Sequence, residues 1–181
     1  MKYKRKITSF QINNGFTGSY YLPYSIGLLS SYYNKYSQNK DYEFDQIIYK
    51  REPISKMVNL LYKSDVILFS TYVWNINISL EIAKRIKNKN KNSVTIFGGP
   101  SVPDNAKQFL EEFSFIDIAC HQEGERKITN ILDNLGNGDW RHTPGISFLE
   151  KNNFVLNKDV PRIRDLSAVP SPYLSGAFEK L

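Results

Sequence analysis

The chain has one cysteine in 181 residues. An internal disulfide is therefore impossible, and a cysteine-built zinc or iron–sulfur site has too few thiolates. A lone thiol, Cys120, suits a reducing compartment, and the expected location is the cytoplasm. Long hydrophobic runs are absent too, with nothing near the roughly 20 apolar residues that span a bilayer. The opening Met1-Lys2-Tyr3-Lys4-Arg5-Lys6 lacks the apolar segment of a secretion signal. No nucleophile–base pair and no paired carboxylates stand out, so the sequence nominates no catalytic residue.

A net charge of +6 raises the question of nucleic acid. The lysines are scattered through the N-terminus and through Lys84 to Lys91, among asparagines, as on solvated helix faces and loops. No zinc finger, helix-turn-helix or RNA-binding sheet motif accompanies them, so neither a nucleic-acid nor a membrane partner is expected. A hydrophobic content of 41% with 14% aromatics fits a globular core of ordinary size.

What is present is an alternation of strand and helix patterns. Arg5 to Ile12 reads as a first strand, followed by the glycine-rich loop Asn13-Asn14-Gly15-Phe16-Thr17-Gly18. A helix starts near Pro23, with Ile26, Leu28, Leu29, Tyr32, Tyr33 and Tyr36 on an apolar arc. Phe44 to Tyr49 is a second strand, Pro53 to Leu61 a second helix, and Asp65 to Thr71 a third strand, apolar on both faces. A helix over about 77–87, a strand Val94 to Phe97, a helix over 105–113, a strand Ile116 to Ala119 and a helix Glu125 to Leu135 complete the series. This predicts an α/β fold: a five-stranded parallel sheet of flavodoxin-like (Rossmann-like) order 2-1-3-4-5, with helices on both faces.

From Trp140 the texture changes. Gly145 to Leu149 and Phe154 to Leu156 flank Glu150-Lys151-Asn152-Asn153 as a β-hairpin. Pro161, Pro170 and Pro172 then punctuate an extended tail without periodicity. The expected division is a ligand-binding domain over 1–139 and a hairpin with linker over 140–181.

The strand Val94-Thr95-Ile96-Phe97 runs directly into Gly98-Gly99-Pro100-Ser101. Glycines at the carboxyl end of a buried strand allow close approach to the backbone, and in such sheets ligands sit beyond those ends. Two further loops fall at the same end: Ser70-Thr71-Tyr72-Val73-Trp74-Asn75 and His121-Gln122-Glu123-Gly124-Glu125. Hydroxyls, glycines and acids converging there suit a large cofactor whose tail threads along the strand ends. Each residue also has a plainer reading. Ser70 and Thr71 could cap a helix, Tyr72 and Trp74 could pack, and Glu125 could favour a helix N-terminus. His121 is expected to be a solvated loop residue, and Cys120 a small buried one.

At these residues the sequence resembles the cobalamin-binding domains of mutases and methionine synthase. That family carries Asp-x-His-x-x-Gly, then Ser-x-Leu, then Gly-Gly, at spacings matched here by Gly27, Ser70, and Gly98 with Gly99. The family's aspartate and cobalt-binding histidine correspond to Leu22 and Tyr24, and its leucine to Tyr72. A phenol, with a pKa near 10, is a poor cobalt ligand at neutral pH. The pattern is closer to the N-terminal domain of cobalamin-dependent radical S-adenosylmethionine enzymes. Many of these lack the histidine and carry Pro-x-x-x-Gly, here Pro23-Tyr24-Ser25-Ile26-Gly27. Gly98-Gly99-Pro100, Glu123-Gly124-Glu125 and the tail from Ile163 to Tyr173 extend the resemblance.

The resemblance implies cobalamin held by Tyr24, Ser25, Gly27, Ser70, Thr71, Tyr72, Val73, Trp74, Gly98, Gly99, Pro100, Ser101, Gln122, Glu123, Gly124 and Glu125, with no imidazole below the cobalt. It also implies a barrel domain, not contained in this sequence, that holds a [4Fe–4S] cluster and S-adenosylmethionine. Methyl transfer would be the default chemistry of the whole enzyme, although some relatives contract rings instead. A stand-alone cobalamin sensor, or a flavodoxin-like flavin or nucleotide binder, are the competing readings. The second requires a phosphate-cradling loop after the first strand, and Asn13 to Gly18 matches no such fingerprint.

Overall fold

The computed structural model describes residues 4–13, 18–179 and 181; residues 14–17 of the first glycine-rich loop lie outside them. The order of elements is β1 (Arg5–Phe10), α1 (Tyr24–Tyr36), β2 (Tyr42–Ile48), α2 (Ile54–Leu61), β3 (Val66–Ser70), α3 (Ile76–Lys89) and β4 (Val94–Gly98). Then come α4 (Lys107–Glu112), β5 (Ile118–Cys120), α5 (Glu125–Asn134), a 3-10 helix (Asp139–His142), β6 (Ile146–Glu150) and β7 (Asn153–Leu156).

The expected alternation and the order 2-1-3-4-5 are present, with parallel pairing from β2 through β5. The strand count differs: among the described residues the sheet has seven strands, not five. The hairpin β6–β7 does not stand apart but pairs antiparallel with β5, Cys120 opposite Ile146, and extends the sheet. Its inward residues explain this. Ile146 and Phe148 are buried in the same core as Ile118, Cys120 and Ile131, where a detached hairpin would expose them.

β3 is buried at every position, as a central parallel strand requires. Its side chains alternate between two cores. Ile67 and Phe69 pack with Met57, Leu61, Ile82, Ile86 and Leu110 from α2, α3 and α4. Val66 and Leu68 pack with Tyr33, Ile128, Ile131 and Leu132 from α1 and α5. The sheet thus presents one face to α1 and α5, and the N-termini of those two helices lie at the carboxyl ends of the strands, since each follows its strand there.

The tail does not behave as a free linker. Ile163 is buried, the Tyr36 hydroxyl donates to the Ala168 carbonyl at 2.7 Å, and the Ser31 and Ser175 hydroxyls lie 2.6 Å apart. The chain returns across α1 and covers it. Gly27 is the point of closest approach, where an added Cβ would run into the Phe178 ring and come within 2.8 Å of Pro172 Cβ. Aperiodic sequence concealed this, because a strap held by side-chain and backbone contacts needs no hydrophobic period.

Candidate functional site

Between the sheet and helices α1 and α5 lies a slot of about 220 Å3 that opens at the strand ends. Its apolar walls are Leu68 and Ile96 from the sheet, Ile26 and Leu29 from α1, and Ile128 from α5. Its rim carries Ser25, Ser70, Tyr72, Gly98, Gly99, Pro100, Gln122, Glu123, Gly124 and Glu125. Ten of the sixteen residues singled out in the sequence therefore meet around one opening. They come from four loops far apart in the chain, brought together because each follows a parallel strand or starts a helix above one.

The other six are placed differently. Tyr24 borders a neighbouring groove of about 380 Å3, together with Glu123, Glu125 and the tail residues Leu166 and Pro170. Gly27 lies beneath the tail. Thr71 is buried, and both its amide and its hydroxyl donate to the Gly98 carbonyl, at 2.7 and 2.8 Å. Val73 is 83% exposed and does not line the slot. Trp74 stacks on Tyr72 with ring centroids 4.7 Å apart and 7° between planes, and its Nε1 donates to the Ile12 carbonyl. Ser101 donates its amide to the Thr71 carbonyl, and its buried hydroxyl oxygen has no partner.

The two glycines serve different ends. Gly99 has φ +98°, and a Cβ there would sit 2.6 Å from the Thr71 carbonyl oxygen. It is glycine because β3 and β4 nearly touch as they leave the sheet. At Gly98 a Cβ would meet only ordinary contacts with Cys120, at 3.6 and 3.8 Å, so that position is bare toward the slot without a backbone demand for it.

The hydroxyls at the mouth form a chain that the sequence did not reveal. Gln11, buried just past β1, accepts from the Ser25 hydroxyl at 2.7 Å and from the Ile26 amide at 3.3 Å. It thereby supplies the start of α1 with an acceptor that no residue of the helix provides. Ser25 Oγ in turn lies 3.0 Å from Ser70 Oγ. Asn75, also missed, is buried, and its amide donates to the Ile12 and Ser70 carbonyls and so ties the ends of β1 and β3 together.

Electrostatics divide the rim from its surroundings. Burial pushes the Cys120 thiol up to about 12, so in the slot wall it stays a neutral thiol. His121 is not a solvated loop residue but is 7% exposed, with Nε2 2.9 Å from the Ser147 hydroxyl and Nδ1 unpartnered. Burial, reinforced by the charge of Lys127, holds its pKa below the ordinary imidazole value. The antiparallel β6 explains the misplacement, because it covers what would otherwise be an open strand end. Lys127 Nζ is buried between the His121 carbonyl and the Asp159 carboxylate, at 2.6 and 2.8 Å. Neither imidazole of the sequence borders the slot. No cluster of three or more metal-binding side chains occurs among the described residues, and no helix among them is long and apolar enough to cross a membrane.

No protein-family model matches the chain. It is similar to the cobalamin-dependent radical SAM methyltransferase TokK of Streptomyces tokunonensis, 30% identical over 162 residues, covering 88% of this chain and 24% of that protein. It is also similar to the 2-(S-pantetheinyl)-carbapenam-3-carboxylate methyltransferase of Streptantibioticus cattleyicolor, 27% identical over 162 residues, with the same coverage. The chain thus spans about a quarter of the length of these curated relatives. Among solved structures it superposes on the cobalamin-dependent S-adenosylmethionine radical enzyme OxsB with aqua-cobalamin and S-adenosylmethionine bound. There the TM-score is 0.72 at 20% identity, over 96% of this chain and 25% of that one. It superposes too on TsrM from Kitasatospora setae with cobalamin and a [4Fe–4S] cluster bound, at a TM-score of 0.67, 14% identity, and 89% and 30% coverage. In sequence and in fold, the chain matches the N-terminal portion of cobalamin-dependent radical S-adenosylmethionine enzymes.

Proposed function

We propose that this chain holds cobalamin as the N-terminal part of a larger radical S-adenosylmethionine enzyme of the methyltransferase type. The observation that carries the reading is the convergence of Ser25, Ser70, Gly98 and Glu123 on one slot at the carboxyl ends of the sheet. A slot of about 220 Å3 is below the roughly 300 Å3 at which pockets enclose a whole drug-sized ligand. It therefore admits one flat arm of a corrinoid, the nucleotide base, between apolar walls, while the macrocycle lies outside on the rim. Tyr24, Tyr72 and the 122–125 loop border that rim.

When bound, cobalamin supplies a cobalt centre able to carry an alkyl group. This chain's share is to bind, orient and desolvate it. Tyr24 stands where the resemblance puts a histidine, and neither His121, which pairs with Ser147, nor His142 lines the slot; on this reading the cobalt would have no imidazole of this chain beneath it. On this reading residues 1–139 hold the cofactor. Residues 140–181 widen the sheet and lead back over α1 toward a barrel carrying the cluster and S-adenosylmethionine. The partners are cobalamin and that barrel, not nucleic acid or a membrane, and the compartment is the reducing cytoplasm that the lone buried thiol suits.

Titration with hydroxocobalamin, followed by visible absorbance, tests this. The expected result is saturable binding with a base-off spectrum. A base-on spectrum in the bound state, or uptake of flavin in place of corrinoid, would overturn it.

A further inference from the structure

A cavity of about 520 Å3 lies at the β2 edge of the sheet and shares no lining residue with the slot. Every residue of β2, from Tyr42 to Ile48, borders it. Neighbouring strand residues point to opposite faces, so a cavity that touches all of them runs along the strand's free edge. Its walls are α1, through Ser30 and Asn34, and the returning tail, through Ser175, Gly176, Ala177 and Glu179. The Asp41 and Ile48 carbonyls face β1, accepting the Arg5 and Gln11 amides, whereas the Tyr42 amide faces the other way and donates to the Tyr33 hydroxyl. Direction alternates along a strand, and a bulge at Asp45, which has no counterpart on β1, resets it. Phe44 and Ile47 therefore turn their N–H and C=O groups into the groove, where no strand among the described residues pairs with them.

Two observations say what the groove takes. Ser30 is 4% exposed, and its hydroxyl has no hydrogen-bond partner among the described residues, which leaves a polar group in the wall for a guest to satisfy. Glu43 and Glu179 border the groove without an ion pair among the described residues, against the single cation Lys4, while Asp45 is taken by Lys6 at 3.1 Å. We infer that the free edge of β2 is a docking groove for a short extended segment of a partner protein that carries basic side chains. The guest backbone adds a strand to β2, and its cations meet Glu43 and Glu179. A second copy of this chain is the wrong guest, because β2 paired antiparallel with itself sets Glu43 and Asp45 among the same acids of the other strand. The bulge confines regular pairing to a few residues on either side, which suits one short segment and not a growing sheet. The inference does not depend on what fills the slot.

The probe is the peptide acetyl-Val-Lys-Val-Lys-Val-amide, titrated into the isotope-labelled chain and followed by the NMR shifts of the Phe44 and Ile47 amides. The expected result is a saturable shift of both. A peptide with glutamate in place of lysine binds more weakly, and Glu43→Gln lowers the affinity of the lysine peptide by about fivefold, the order of one exposed ion pair. Ser30→Ala lowers it by about fivefold as well, through the lost hydrogen bond to the guest. A third peptide, methylated at its backbone nitrogens, keeps the charges but has no N–H to give the strand, and it leaves both amides unshifted. An equal response to the methylated peptide, or no response to any of the three, would overturn the inference. So would a concentration-dependent dimer in sedimentation that protects the Phe44 and Ile47 amides, since the edge would then belong to a second copy.

Discussion

The Glu123 carboxylate accepts the Ile163 amide at 3.1 Å while bordering both the slot and the groove beneath the tail. One side chain therefore touches both the slot and the segment that returns over α1.

Replacing Glu123 by alanine removes the acceptor and leaves the Ile163 amide without its partner. The expected cost is about 1 kcal/mol, concentrated in the tail. Hydrogen exchange at Ile163 should speed up severalfold in Glu123→Ala and return close to the original rate in Glu123→Gln, whose amide oxygen can still accept. Equal exchange in all three forms would show that the tail is held elsewhere.

The glycine pair offers a sharper contrast. Gly99→Ala forces a Cβ against the Thr71 backbone at a positive φ and should cost about 3 kcal/mol in urea unfolding. Gly98→Ala should cost less than about 1 kcal/mol, since only ordinary contacts await it, yet weaken corrinoid binding by occupying the mouth of the slot. Comparable stability losses at the two positions would contradict this assignment.

Lys127 and Asp159 form a pair with side-chain exposures of 7% and 26%. Removing one partner of such a pair strands the other. Asp159→Asn should cost about 3 kcal/mol by denaturant unfolding, and restoring neutrality with Lys127→Met in the same chain should recover part of it.

Two groups, the buried His121 and the half-buried Asp159, make the fold sensitive to acid. His121 has a lowered pKa because burial, and then the Lys127 charge, disfavour its protonated form. Its unfolded state takes a proton first, so stability is full above about 6.5 and falls as pH drops below it, toward the depressed folded value. Asp159 follows at lower pH. Burial pushes its carboxyl up, but the Lys127 hydrogen bond, the Val160 amide and the Lys127 charge together hold it below 3.8, and its contribution is lost as pH falls through that lowered value. Thermal melts across pH 7 to 5 should show a decline that His121→Gln flattens.

The parallel five-strand frame was legible because each strand and helix carries its own period: β3 is apolar throughout, and α3 repeats Ile82, Ala83 and Ile86 on one side. The rim was legible because βα loops of a parallel sheet must emerge at one end. Three things were not. Gln11 gives no local signal, since its partners Ser25 and Ile26 lie across a loop. His121 reads as exposed until β6 is known to cover it. The strap from Ile163 to Phe178 is held by single hydroxyls, one carboxylate and a glycine-sized gap, none of which has a period. Its sequence therefore reads as a linker although its contacts are tertiary.

The sulfur of Cys120 sits in the wall of the slot and is the chain's one thiol. Within this chain a thiol-selective reagent can act only at Cys120, so its labelling rate there is a built-in gauge of how often the slot breathes open. A guest seated against β5 would silence that gauge without a single engineered reporter.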